Sequence, residues 1–139
     1  MTEDCTTIRL VRPTYVESGG HLVTSYWAEC FMLPILGPTS YLMLRRLNHL
    51  IGQGEDGTAP DSPVVDLCEL AAVLGVAAPQ KRQDLADRAL KRLLSFGVVR
   101  WESERAEPVR VLVVPTRVPS LTQRQIARLP ESLQREYVK

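Results

Sequence analysis

The sequence has little of what redox, metal or phosphate-loop chemistry needs. Its two histidines, His21 and His49, stand apart with no second ligand at helical spacing, so no metal site is expected. Its three cysteines, Cys5, Cys30 and Cys68, form no CxxC pair, and an odd count closes no disulfide framework. Cys30 and Cys68 lie in apolar patterns where a free cysteine acts as a small buried hydrophobe, which makes reduced thiols the simplest reading. No Gly-rich phosphate loop, paired-carboxylate site, or Ser/His/Asp or Cys/His grouping with recognisable spacing is present, so neither an enzyme nor a cofactor is expected. The longest apolar stretch, CFMLPIL at 30–36, falls far short of the ~18 to 20 residues a membrane span needs, and it contains Pro34. The acidic start, MTEDC, is not followed by the basic and apolar regions of a secretory signal. These features predict a cytoplasmic chain with no membrane association.

What the chain does have is enough apolar residue for a core. At 139 residues, with 45% hydrophobic and 24% charged residues, it suits one ordinary globular domain. The net charge is only +1, which alone argues weakly against a nucleic-acid partner, but the charge is unevenly placed. Residues 1–80 carry four basic residues against nine acids, for −5, while residues 81–139 carry thirteen against seven, for +6.

Residues 7–27 read as a β-hairpin: TIRLV alternates apolar and polar, SGG supplies turn chemistry, and HLVTSYW resumes with β-branched and aromatic residues. SYWAECFML at 25–33 reads alternatively as a short helix stopped by Pro34. A clearer helix begins near Gly37 or Thr39 and ends at Gly52, with Tyr41, Leu42, Leu44, Leu47, Leu50 and Ile51 inward and Arg45, Arg46 and Asn48 outward. The following GQGEDGTAPDSP reads as a loop. A very short strand, VV, leads into a small helix capped by Asp66 and ended at Gly75. The next helix, about 84–96, buries Leu85, Ala86, Ala89, Leu90, Leu93 and Phe96, leaves Asp87, Arg88, Lys91, Arg92 and Ser95 outside, and closes at Gly97. VVRWE and VRVLVV, joined by SERAEP, predict a second hairpin, and Thr122 with Gln125 marks a capping box in a helical tail interrupted by Pro130. There is no internal repeat.

The order of helix, very short strand, short helix, amphipathic helix and hairpin resembles the winged helix-turn-helix superfamily over roughly residues 37–116. LCELAAVLGV corresponds to its second helix and turn, DLADRALKRLLSFGVV to the recognition helix, and SERAEP to the wing. LPILGPTSYLMLRRL is also similar to the approach to the first helix in the N-terminal domains of DnaD-like replication proteins. The expected fold class is α+β, mainly helical. It comprises an N-terminal β/helical extension at 1–36, a winged-helix domain at 37–116 and a helical tail at 117–139 packed on that domain.

The resemblance implies that the third helix of the unit enters the major groove of double-stranded DNA while the wing touches backbone or minor groove. Carried onto this chain, the DNA-binding candidates are Gln80, Lys81, Arg82 and Gln83 at the helix start, then Arg88, Lys91 and Arg92 along its outer face. Arginine forks onto guanine, glutamine onto adenine, and lysine meets phosphate oxygens. Between 81 and 92 stand five basic residues and two acids. Against this, Asp84 and Asp87 sit where phosphates approach, although Asp84 is also placed to cap the helix. The ESERAE wing carries three glutamates that a narrow minor groove repels. Two functions are in contention. One is a DNA-binding transcriptional regulator acting as a homodimer; the other is a winged-helix adaptor whose partner is another protein. A solvated helix face is the plain alternative for Arg88, Lys91 and Arg92.

Overall fold

The computed structural model describes residues 7–14, 17–51, 63–75, 79–102 and 109–138. Cys5, nearly all of the loop read after Gly52, and the SERAEP wing lie outside the described residues. The architecture is α+β. The helices are α1 (Tyr26–Leu36), α2 (Pro38–Ile51), α3 (Leu67–Val73), α4 (Arg82–Ser95), α5 (Gln123–Ala127) and α6 (Glu131–Val138). The strands are β1 (Thr7–Val11), β2 (His21–Leu22), β3 (Val64–Asp66), β4 (Arg100–Trp101), β5 (Arg110–Val113) and β6 (Arg117–Val118).

The N-terminal hairpin does not form. The alternation in TIRLV buries Ile8 and Leu10 completely, and β1 meets that need by lying inside a four-stranded sheet of order β3-β1-β5-β4. It runs antiparallel to β3 and parallel to β5, with Leu10 opposite Leu112. His21 and Leu22 pair instead with Val118 and Arg117 of β6. The hairpin of β4 and β5 is antiparallel, with Trp101 opposite Leu112. Because β1 stands between β3 and β5, the hairpin is not paired with the short strand that precedes α3. The winged-helix architecture is therefore not confirmed.

Local signals account for most helix ends. Ser25 caps α1 by accepting from the Ala28 N–H at 3.1 Å, and α1 continues through Pro34 to Leu36 rather than stopping before it. Proline removes one backbone donor, but Ile35 and Leu36 are both buried beyond it, and that packing outweighs the lost bond. Gly37, at φ 87, closes α1 with its N–H on Leu33 O, and its own carbonyl accepts from Tyr41 in α2. The buried stripe of α2 is rotated from the expected one: Ser40, Tyr41, Met43, Leu44, Leu47, Asn48 and Ile51 face inward, while Leu42 is 45% exposed. Asn48, expected outside, is buried because its side chain accepts from Arg12 and donates to Leu44 O. Asp66 caps α3 through the N–H groups of Cys68 and Glu69 at 2.7 and 3.4 Å. At the end of α4, Gly97 donates to Leu94 O and Val98 to Leu93 O, the paired bonds of a Schellman motif. Thr122 and Gln125 form the predicted capping box.

The core joins Ile8, Leu10 and Leu112 of the sheet to Tyr41, Leu44, Leu47, Leu67 and Leu93 of the helices. The tail contributes Leu121 and Leu129, and Tyr137 meets Phe31 edge-on at 5.1 Å while its hydroxyl accepts from Leu121 N–H. Arg110 lies 3.8 Å above the Trp101 ring. Cys30 is free, as expected, but Cys68 is disulfide-bonded, which corrects the expectation of a reduced thiol at that position; pairing depends on proximity in the fold, which sequence spacing does not report. Among the described residues no helix is long and apolar enough to cross a membrane.

One carboxylate ties the N-terminal segment to the sheet's far end. Glu17 accepts from the Thr116 N–H and hydroxyl and from the Arg117 N–H, at 2.8–3.2 Å. Burial alone raises its pKa, but these three donors and the field of Arg12 outweigh it, leaving the carboxyl below its ordinary value of 4.5. A lowered folded pKa gives stability that is present above the unfolded value and lost as pH falls through the folded one. Glu17→Ala is therefore expected to cost about 1–2 kcal/mol at neutral pH, less than the sum of its bonds because solvent reaches the group. The gap between variant and wild type should narrow as pH falls below the ordinary carboxyl value, read from urea unfolding at several pH values. A gap that does not change with pH would show that the charge contributes nothing.

Candidate nucleic-acid interface

The structure divides the seven predicted DNA-binding residues into three groups. Gln80 and Lys81 are exposed on a single 3-10 turn, Pro79–Lys81, that runs directly into α4. Arg88 and Lys91 are exposed along the outer face of α4, whose inner face buries Ala86, Ala89, Leu90 and Leu93. The other three are committed inward or sideways. Arg82 is half-buried, with its Nε enclosed and without a hydrogen-bond partner. Gln83 is also half-buried: its amide donates to Asp87 at 2.8 Å and its Oε1 lies 3.4 Å from Cys68 Sγ of α3. Arg92 is exposed at its surface, yet its guanidinium donates to Ile35 O of α1 at 3.0 Å and lies 5.5 Å from the centre of the Phe96 ring.

The acids that counted against the site have specific positions. α4 begins at Arg82, two residues earlier than expected, with Lys81 at the cap position and no side-chain cap. Asp84 is thus in the first turn, where it favours the positive end of the helix dipole without capping it. It also pairs with Arg88 at 3.2 Å; the two side chains are 66% and 73% exposed, so this contact contributes little to stability but offsets charge on the outer face. Asp87 is occupied by Gln83. Among the described residues of the turn and α4, Lys81 and Lys91 are the exposed cations engaged in neither an ion pair nor a hydrogen bond to another element.

Beside them, a cleft of about 380 Å³ runs between α4 and the start of α2, with Arg88 and Arg92 on one wall and Gly37, Thr39 and Leu36 on the other. Sequence periodicity identified the outer face of α4, but this second wall comes from a helix more than 40 residues away and carried no signal of its own. Arg124, Arg128 and Arg135 of the tail are exposed as well, spread over α5, its C-terminal end and α6.

No family model matches the chain, and no curated protein matches it. Among solved structures, the crystal structure of primosome protein DnaB (residues 1–300) from Geobacillus stearothermophilus is similar over 100% of this chain, at 13% sequence identity and a TM-score of 0.49. The chain spans 48% of that structure's length.

Proposed function

We propose that the protein binds duplex DNA through the outer face of α4, with Lys81 and Lys91 on phosphates and Gln80 nearest the base edges. The observation that carries this reading is the exposure of Gln80, Lys81, Arg88 and Lys91 on one turn-and-helix element whose opposite face is anchored in the core. A rigid element presents such a row at fixed spacing, which suits a phosphate backbone. With few phosphate contacts, one copy binds weakly, with a Kd of ~10⁻⁴ to 10⁻⁶ M for non-specific duplex at physiological salt; a second copy related by two-fold symmetry would strengthen it. Transcriptional regulation has no support in the fold or the site and is not carried forward.

The test is titration of a labelled random duplex at several salt concentrations. Lys91→Ala is expected to lower the slope of log affinity against log salt by about 0.9, the value for one phosphate. Asp84→Asn is expected to strengthen binding by releasing Arg88. Arg92→Ala should act mainly through stability, since its guanidinium holds the end of α1. Equal, salt-insensitive signals from wild type and Lys91→Ala would defeat the reading.

That outcome would favour a second reading, a protein-binding adaptor. One observation supports it: Val64 on the edge strand β3 and Val73 of α3 are 47% and 49% exposed beside Leu50, in one cleft of about 420 Å³.

A further inference from the structure

A second cluster of basic side chains lies apart from the outer face of α4. Arg12 follows β1, Arg45 and His49 sit on successive turns of α2, and all three line a cleft of about 310 Å³ with Asn48, Thr24 and Thr116. Among the described residues no carboxylate lines this cleft, and none forms an ion pair with Arg12 or Arg45. We propose that the cleft binds a small oxyanion ligand, bearing a phosphate or clustered carboxylates, held between Arg12 and Arg45.

Three features support a binding site rather than a solvated surface. First, the walls are pinned to one another. The Arg12 guanidinium donates to Asn48 Oδ1 and to Val114 O, Val23 N–H donates to Thr116 O at 2.8 Å, and the Tyr41 hydroxyl donates to Val23 O at 3.0 Å. α2, the end of β5 and the segment before α1 are thereby fixed before any ligand arrives, which lowers the entropy lost on binding. Second, Arg12 is half-buried and held in place. Asn48, itself 8% exposed, fixes the guanidinium through its side-chain oxygen, and the bonds to Asn48 and Val114 do not exhaust the guanidinium's donors.

Third, the charge there is incompletely offset. Burial lowers the Arg12 pKa, and the field of Glu17 only partly restores it. Glu17 directs its hydrogen bonds to Thr116 and Arg117 and makes no ion pair with Arg12. An oxyanion would supply the missing negative charge, and paired oxygens suit a guanidinium fork. The volume is at the low end for small-molecule sites, which fits a compact ligand. This inference is independent of the DNA reading, because Lys91 takes no part in the cleft.

The experiment is calorimetric titration of the full chain with pyrophosphate and with citrate, at ionic strength matched by potassium chloride. Saturable binding of either anion is expected, and which one binds more tightly identifies the ligand class. Arg45→Ala, at a half-buried position that leaves the Arg12–Asn48 contact in place, should weaken binding roughly 10-fold or more, and Lys91→Ala should not change it. Circular dichroism of Arg45→Ala checks that it folds, and His49→Gln at the exposed rim serves as a second variant with a smaller loss. Potassium chloride giving the same heats, or wild-type affinity in Arg45→Ala, would overturn the proposal. So would Arg45→Ala weakening duplex binding as much as Lys91→Ala, which would make the cluster a contact for DNA instead.

Discussion

Leu10→Ala is expected to lower the unfolding free energy by about 2–5 kcal/mol, one of the two largest effects anticipated for a single substitution in this chain. Leu10 is 0% exposed and faces Leu112, also 0% exposed, across the parallel pairing of β1 and β5. Truncating it opens a cavity between the sheet and α2, and the surrounding residues cannot collapse freely because strands flank β1 on both sides. Val11, next along the strand, points to the opposite face and is only half-buried. Val11→Ala should therefore cost well under half as much in the same urea unfolding measurement. A chain whose first strand were a loosely attached appendage would show little loss at either position. Losses in the reverse order would remove β1 from the middle of the sheet.

The second large effect separates two adjacent glycines. Gly19 and Gly20 both have positive φ, 75 and 62, so alanine at either is expected to cost ~1 to 2 kcal/mol of backbone strain. They differ in surroundings. A Cβ on Gly19 would meet nothing within 4 Å, whereas one on Gly20 would lie 2.4 Å from the backbone oxygen of Val118. That oxygen belongs to β6, which pairs with β2 through Val118 and His21, so the turn and the strand pair must separate to admit the methyl group. Gly20→Ala should thus lower the melting temperature about twice as far as Gly19→Ala or more. Equal shifts would mean that the 17–20 turn does not lie against β6 as described.

The helices were legible in the sequence because their signals are local. The Asp66 cap, the Gly97 terminator, the Thr122–Gln125 box and the apolar spacing of α4 each need only a few neighbouring residues, and each is formed. What was missed depends on distant partners. The pattern TIRLV announces a strand but cannot say that its neighbours are Val64–Asp66 and Arg110–Val113 rather than His21–Leu22. Asn48 reads as a surface residue until Arg12 is brought beside it. Pro34 reads as a helix end until the burial of Ile35 and Leu36 is known. The candidate interface shows the same division. The face of α4 follows from helical spacing, but spacing cannot show that Arg92 is held by Ile35 or Gln83 by Asp87. The cleft at Arg12 and Arg45 joins residues 33 positions apart, and no motif links them.

The parallel pairing of the first strand with the fifth has a consequence for biosynthesis. Ile8 leaves the ribosome about a hundred residues before its neighbour Arg110, so through most of translation the strand has no lateral partner on that side. Until then the strand's backbone N–H and C=O groups on that side have no ladder partner and stay open to chaperones or to other nascent chains. Closure of so long a loop also makes late sheet assembly the natural slow step of folding, after the neighbouring helices have formed.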